Sequence, residues 1–240
     1  ESYVFGTSTA IIRGGEANVV NGGGYAEYYL NKEFTGDGAP TSNVIGSSRA
    51  ILEGGEISSY LIGAGYAETN TGGMAFKANV EGDSYVLISG GSVKDVVGGG
   101  LADGKGTSAL VTGNSFVTIA GGKISGTIYA GGLSKNDGTA NVGGTATVTF
   151  LADIGFEGTV DGSNAKSSVL AFGDGSTVFN ANFSGTFKNF DEVKAAQGSR
   201  VSFKEIGNDQ FKVTGDNKGK LKLTGKGTVE TEKFSLSTGQ

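Results

Sequence analysis

The chain contains no cysteine, no histidine and no tryptophan. Without cysteine there are no disulfides, thiolate metal sites or cysteine nucleophiles. Without histidine the usual general base near neutral pH is missing, as is the commonest zinc ligand, and a serine triad cannot form. Proline occurs once, at Pro40, which excludes collagen-like and polyproline structure. No apolar run approaches the ~18 residues that a membrane helix needs. Basic charge is also scarce. The 19 Lys and Arg are outnumbered by 24 Asp and Glu, for a net charge of −5, so no basic surface is available to hold nucleic acid. Residue 1 is Glu and no signal peptide is present, as expected of a mature form or an excised fragment.

What is present in excess is glycine, at 45 of 240 positions. Hydrophobic residues still make up 37%, enough to build a core, which argues against disorder. The glycines fall in an internal repeat. A phrase Val-x-Gly-x-Ser/Ala opens at Val4, Val44, Val80, Val111 and Val142, with spacings of 40, 36, 31 and 31 residues. The unit is therefore 31 residues, and the first two copies carry insertions of nine and five. In the first four copies an alternating pair follows: Ala10/Ile12, Ala50/Leu52, Val86/Ile88 and Val117/Ile119. Next comes Gly-Gly, then Ala17, Ile57, Val93 and Ile124, then Val20, Leu61, Val96 and Ile128. A glycine cluster leads to Tyr25, Tyr66, Leu101 and Leu133.

Alternation at period 2 with β-branched residues predicts strands, and Gly-Gly predicts corners where φ is positive. Aliphatic residues recurring at one position per copy would stack in columns about 4.8 Å apart, the spacing of a parallel sheet. The predicted fold class is all-β: a right-handed parallel β-helix, or β-solenoid, with Gly-rich corners. Its handedness follows only from the general crossover preference. The rival is a set of antiparallel hairpins, which would want Asn-Gly or Asp-Gly turns between paired runs.

Residues 1–145 form the regular repeats. Residues 146–240 continue as less regular, Phe-rich coils: ten of the fourteen Phe lie there, and no Tyr does. The phrases at Phe156–Val160 and Phe183–Phe187 match each other. The end is expected to form a cap or a hairpin. A hairpin centred on Lys226 would pair Leu223 with Val229 and Lys222 with Glu230. The alternative is two successive parallel strands.

The Val-x-Gly-x-Ser repeat with its Gly-Gly corners resembles the β-helical repeats of secreted adhesin-like proteins. The segment from Phe183-Ser-Gly through Phe190-Asp191-Glu192-Val193 to Gly198-Ser199-Arg200-Val201 resembles the late passenger region of bacterial autotransporters. This resemblance implies an extracellular or cell-surface location and a role in adhesion, aggregation or biofilm formation. It also implies partners among host or bacterial surface glycans and proteins, or copies of the chain itself. The chain lacks the aromatic-girdled strands of a membrane barrel. Either the barrel was cut off or the protein reaches the surface by another route.

The function expected is therefore a non-enzymatic structural or adhesive module. The alternative is a self-assembling subunit of an extracellular filament, sheath or surface layer, and the least favoured is a polysaccharide-degrading β-helix enzyme. No catalytic or cofactor-binding constellation stands out. Glu27, Glu68 and Asp103 hold one repeat position, with Ser134 expected in the fourth copy. Stacked carboxylates repel, and calcium would relieve this; in the plainer reading they point into salt-screened solvent. Tyr28, Tyr29 and Phe34 in the longest insertion are the candidate interaction residues, since exposed aromatics can stack on sugars or fill a partner's pocket.

Overall fold

The structure is a computed structural model that describes residues 2–28, 41–69, 76–176, 179–207 and 222–235. It is all-β, with no helix among the described residues, and every strand pairing among them is parallel. The hairpin rival fails on this point, because antiparallel pairs are its defining contact. Among the described residues no helix is long and apolar enough to cross a membrane.

Each of the first four repeats supplies at least one strand to each of three sheets. A nine-stranded long sheet begins with Ser8–Ile12, Ser48–Leu52, Ser84–Ile88 and Ser115–Ile119. A seven-stranded middle sheet begins with Glu16–Asn21, Glu56–Ile62 and Ser92–Val97. A four-stranded short sheet holds Tyr25–Tyr28, Tyr66–Thr69, Leu101–Asp103 and Leu133–Lys135. The repeat phrase falls into register throughout. Val4 pairs with Val44, Val44 with Val80, Val80 with Val111, and Val111 with Val142. The insertions therefore leave the register of these columns unchanged.

Alternation decides what is buried. In Ser84–Ile88 the side chains of Ser84, Val86 and Ile88 are buried, Tyr85 is half-buried and Leu87 is exposed. Leu52, Ile88 and Ile119 stack in one column, and Leu61, Val96 and Ile128 in another. All six belong to a single core between the long and middle sheets. Burying each such side chain contributes about 1.5–3 kcal/mol. Ser48, Ser84 and Ser115 of the repeat phrase are buried with them. Ser84 Oγ donates to the Gly98 carbonyl at 2.7 Å, and Ser115 Oγ to that of Ala130 at 2.5 Å. These bonds tie the start of the long-sheet strand to the glycine cluster of the same repeat.

The corners need glycine for two reasons. The second glycine of each Gly-Gly pair is left-handed, with φ of 79°, 83°, 70° and 79° at Gly15, Gly55, Gly91 and Gly122. The glycine cluster is a matter of space instead. A methyl on Gly100 would stand 2.5 Å from the Ala109 carbonyl oxygen and 2.7 Å from its Cβ. Here the short sheet doubles back against the strand that opens the next repeat. The alanines are small for the same reason: Ala102, Ala109 and Ala140 form one buried cluster. Ala26, Ala67 and Ala78 form another, completed by Phe76 from the end of the second insertion.

Beyond residue 146 the columns continue with larger side chains. Ile119 is followed by Phe150 and then Phe172 in register, and those two rings stack 5.7 Å apart at 13°. The two matching phrases also align, Thr159 with Thr186 and Val160 with Phe187. At the C-terminal end the expected hairpin is not formed. Lys222–Gly225 runs parallel to Glu192–Ala195, and Thr228–Ser235 parallel to Arg200–Gly207. Leu223 thus continues the column of Val193, and Val229 that of Val201. A hairpin would have paired Leu223 with Val229 and left both columns unextended.

Candidate functional site

The short sheet has a different chemistry on each side. Its second position is Ala26, Ala67 or Ala102, all facing the alanine clusters. Period 2 sends the first and third positions to the opposite side. These are Tyr25 and Glu27, then Tyr66 and Glu68, then Leu101 and Asp103. Facing them are residues of the middle sheet that also point away from the main core, including Ile62, Val97 and Tyr60. The glycine cluster folds one sheet toward the other, and a cleft of about 510 Å³ opens between them at the first two repeats. Asn18, Asn21, Tyr25, Glu27, Tyr60, Tyr66 and Glu68 line it, together with Val19 and Ser59. That volume lies in the usual range for small-ligand sites.

The geometry inside is specific. The Tyr25 and Tyr66 rings lie 5.1 Å apart, tilted by 34°. Tyr66 Oη donates to Glu68 Oε2 at 2.7 Å. Burial and this hydrogen bond push the Tyr66 phenol well above its ordinary pKa, so it stays a neutral donor. Asn21 Nδ2 donates to the carbonyls of Gly23 and Gly24 at 3.0 and 3.1 Å, fixing the corner at the base of the cleft.

The register corrects the expected acidic column. Glu27, Glu68 and Asp103 do stack in adjacent strands. The fourth residue is not Ser134, however, which pairs with Ala102; it is Lys135. Counting from the leucine explains this, since Leu-Ala-Asp aligns with Leu-Ser-Lys. Lys135 Nζ lies 2.8 Å from Asp103 Oδ2, and Asn136 Nδ2 donates to Asp103 Oδ1 at 2.6 Å. The hydrogen bond to Asp103 raises the Lys135 pKa, against a smaller opposing effect of burial. The Lys135 ammonium also lies 5.6 Å from the centre of the Tyr60 ring. A cation of the chain's own thus balances the Asp103 end of the column. Among the described residues no group of three or more His, Cys, Asp or Glu could together hold a metal ion.

Of the expected interaction residues, Tyr29 and Phe34 lie outside the described residues. Tyr28 ends its short-sheet strand, opposite Thr69. The rings that line the cleft, Tyr25, Tyr60 and Tyr66, were not singled out by sequence as a site. The signal was available for two of them. Tyr25 and Tyr66 sit two residues before the carboxylates, which places them on the same side of a strand. Tyr60 belongs to another sheet, and only the fold brings it close.

A second surface strip runs along the outside of the long sheet. The column Arg49, Tyr85, Phe116 is in register. Tyr85 and Phe116 stack at 5.2 Å and 17°, and the Arg49 guanidinium lies 5.3 Å from the Tyr85 ring centre. Ile51, Leu87 and Thr118 flank it.

No protein family, curated protein or solved structure matches this chain at a significant level.

Proposed function

We propose that this chain is a right-handed parallel β-helix that acts as a non-enzymatic adhesive module at the bacterial cell surface or outside the cell, presenting sugar-binding clefts on a rigid stack. The observation that carries this reading is the cleft. Three tyrosine rings, two carboxylates and two side-chain amides converge there from two sheets. Rings give pyranose faces a place to stack, and carboxylates and amides can bond sugar hydroxyls. The in-register parallel ladder supports the fold reading, and it holds these groups on rigid strands, not on loops. The test is glycan binding and cell aggregation by the purified chain, repeated with Tyr25→Ala and Tyr66→Ala. Loss of both activities in correctly folded variants is expected. Undiminished aggregation in both variants would move the adhesive surface elsewhere.

A second reading is end-to-end self-assembly into a filament or layer. It draws on the parallel ladders, which a second copy would extend in the same columns by pairing with a terminal strand edge. Such an edge is a template for further strand addition. Light scattering across a concentration series separates the two readings: growth into fibres without a partner favours assembly, and a constant small size favours the adhesin.

A further inference from the structure

The short sheet contains its own example of what its acidic column pairs with. In the third and fourth repeats a primary ammonium, Lys135, sits against the column carboxylate Asp103 and beside the Tyr60 ring. One and two strands away, Glu68 and Glu27 repeat that carboxylate in the same column. Each has a tyrosine two residues before it on the same side. Among the described residues neither forms an ion pair with a Lys or Arg of the chain. Among the described residues no Lys or Arg lines the cleft in front of them.

We propose that this cleft binds a polysaccharide carrying free, protonated amines, with Glu27 and Glu68 receiving the ammonium groups. The inference rests on the adhesive reading above and names its ligand class. Three features select that chemistry. Two stacked carboxylates repel an acidic sugar and attract a cation. The rings of Tyr25 and Tyr66 attract an ammonium through their faces and also accept a pyranose ring, while Tyr60, whose ring already lies beside Lys135, adds apolar surface for the sugar. Asn18, Asn21 and Ser59 along the cleft supply donors and acceptors for hydroxyls. The bond from Tyr66 Oη holds Glu68 in place before any ligand arrives, so less ordering remains to be done on binding.

The experiment is calorimetric titration of the whole chain, near physiological salt, with a chitosan oligosaccharide and with its fully N-acetylated counterpart. Acetylation removes the charge and keeps the sugar backbone. The deacetylated oligomer is expected to bind about tenfold or more tightly than the acetylated one, the scale of a charge-assisted hydrogen bond. Glu27→Gln with Glu68→Gln should abolish that preference, while Glu81→Gln with Glu157→Gln, an equal loss of charge at two exposed positions outside the cleft lining, should leave it intact. Circular dichroism of the variants separates loss of binding from loss of fold. Equal binding of both oligomers, or a preference that survives the double substitution, overturns the inference. Oligolysine binding as tightly as the chitosan oligomer overturns the assignment to a sugar. Binding of the acetylated oligomer alone leaves the adhesive reading standing without this ligand, whereas no glycan binding and no aggregation removes both.

Discussion

Leu87 and Ile88 are neighbours in one strand with the same number of carbon atoms, yet they should respond very unequally to truncation. Ile88 is fully buried, stacked between Leu52 and Ile119 in the core column. Leu87 points outward and is 36% exposed. Ile88→Ala removes buried methyl and methylene groups and leaves a cavity between two fixed neighbours, a loss of about 2–5 kcal/mol. Leu87→Ala removes surface already in partial contact with water and should cost less than about 1 kcal/mol. The assay is urea unfolding followed by circular dichroism, with hydrogen exchange to show whether the loss is local, since stacked repeats can open in parts. The comparison tests register directly. A slip of one residue would exchange the two side chains between core and solvent. If Leu87→Ala proved the more damaging, the alternation described here would be wrong throughout the long sheet.

Three further outcomes are expected. Gly15→Ala should cost about 1–2 kcal/mol, because Gly15 has φ of 79°, while Gly14→Ala, with open space and no positive φ, should be near neutral in the same unfolding assay. At Asp161, burial opposes the charged form, but hydrogen bonds from Asn189 and Ser163 and the Lys188 ammonium outweigh it and hold the carboxyl below its ordinary value of 3.8. Its stabilising contribution is therefore present above that value and lost as pH falls through the lower folded-state value; Asp161→Asn should destabilise near neutral pH, with a smaller difference under acid, as read from unfolding midpoints at the two pH values. A double-mutant cycle of Lys135→Ala and Asp103→Asn should give a coupling of about 0.5–1 kcal/mol, modest because the Lys135 side chain is 39% exposed and solvent screens the pair; a coupling of zero would show that the pair does not close the acidic column.

The columns were legible in the chain because the repeat keeps its inward positions at fixed spacing. Val4, Val44, Val80, Val111 and Val142 follow one another through all five copies of the repeat phrase, in sequence and in space. Gly-Gly was legible as a corner because a left-handed residue leaves few alternatives to glycine. The cleft was much less so. Period 2 places Tyr66 beside Glu68, but only the fold at the glycine cluster brings Tyr60 across to face them. The burial of Ser84 and Ser115 in the repeat phrase was not legible either, because each depends on a carbonyl some fifteen residues away. The C-terminal end misled because Leu223 and Val229 suit a hairpin locally. That local pairing competes with in-register columns that only the preceding strands define.

In-register parallel stacking makes length a counted quantity, open to subtraction. Removing residues 84–114 would excise one whole 31-residue period and join Asp83 to Ser115, which occupies the same lane of the ladder as the deleted Ser84. The stack of strands would shorten by about 4.8 Å, one strand spacing. Leu133 would then meet Tyr66, and Lys135 would meet Glu68. The deletion would turn an open acidic groove into one plugged by the chain's own lysine, so the present number of repeats sets how much of the groove stays vacant. A shortened chain that folds but still binds the aminated oligosaccharide as tightly as the parent would contradict that arithmetic.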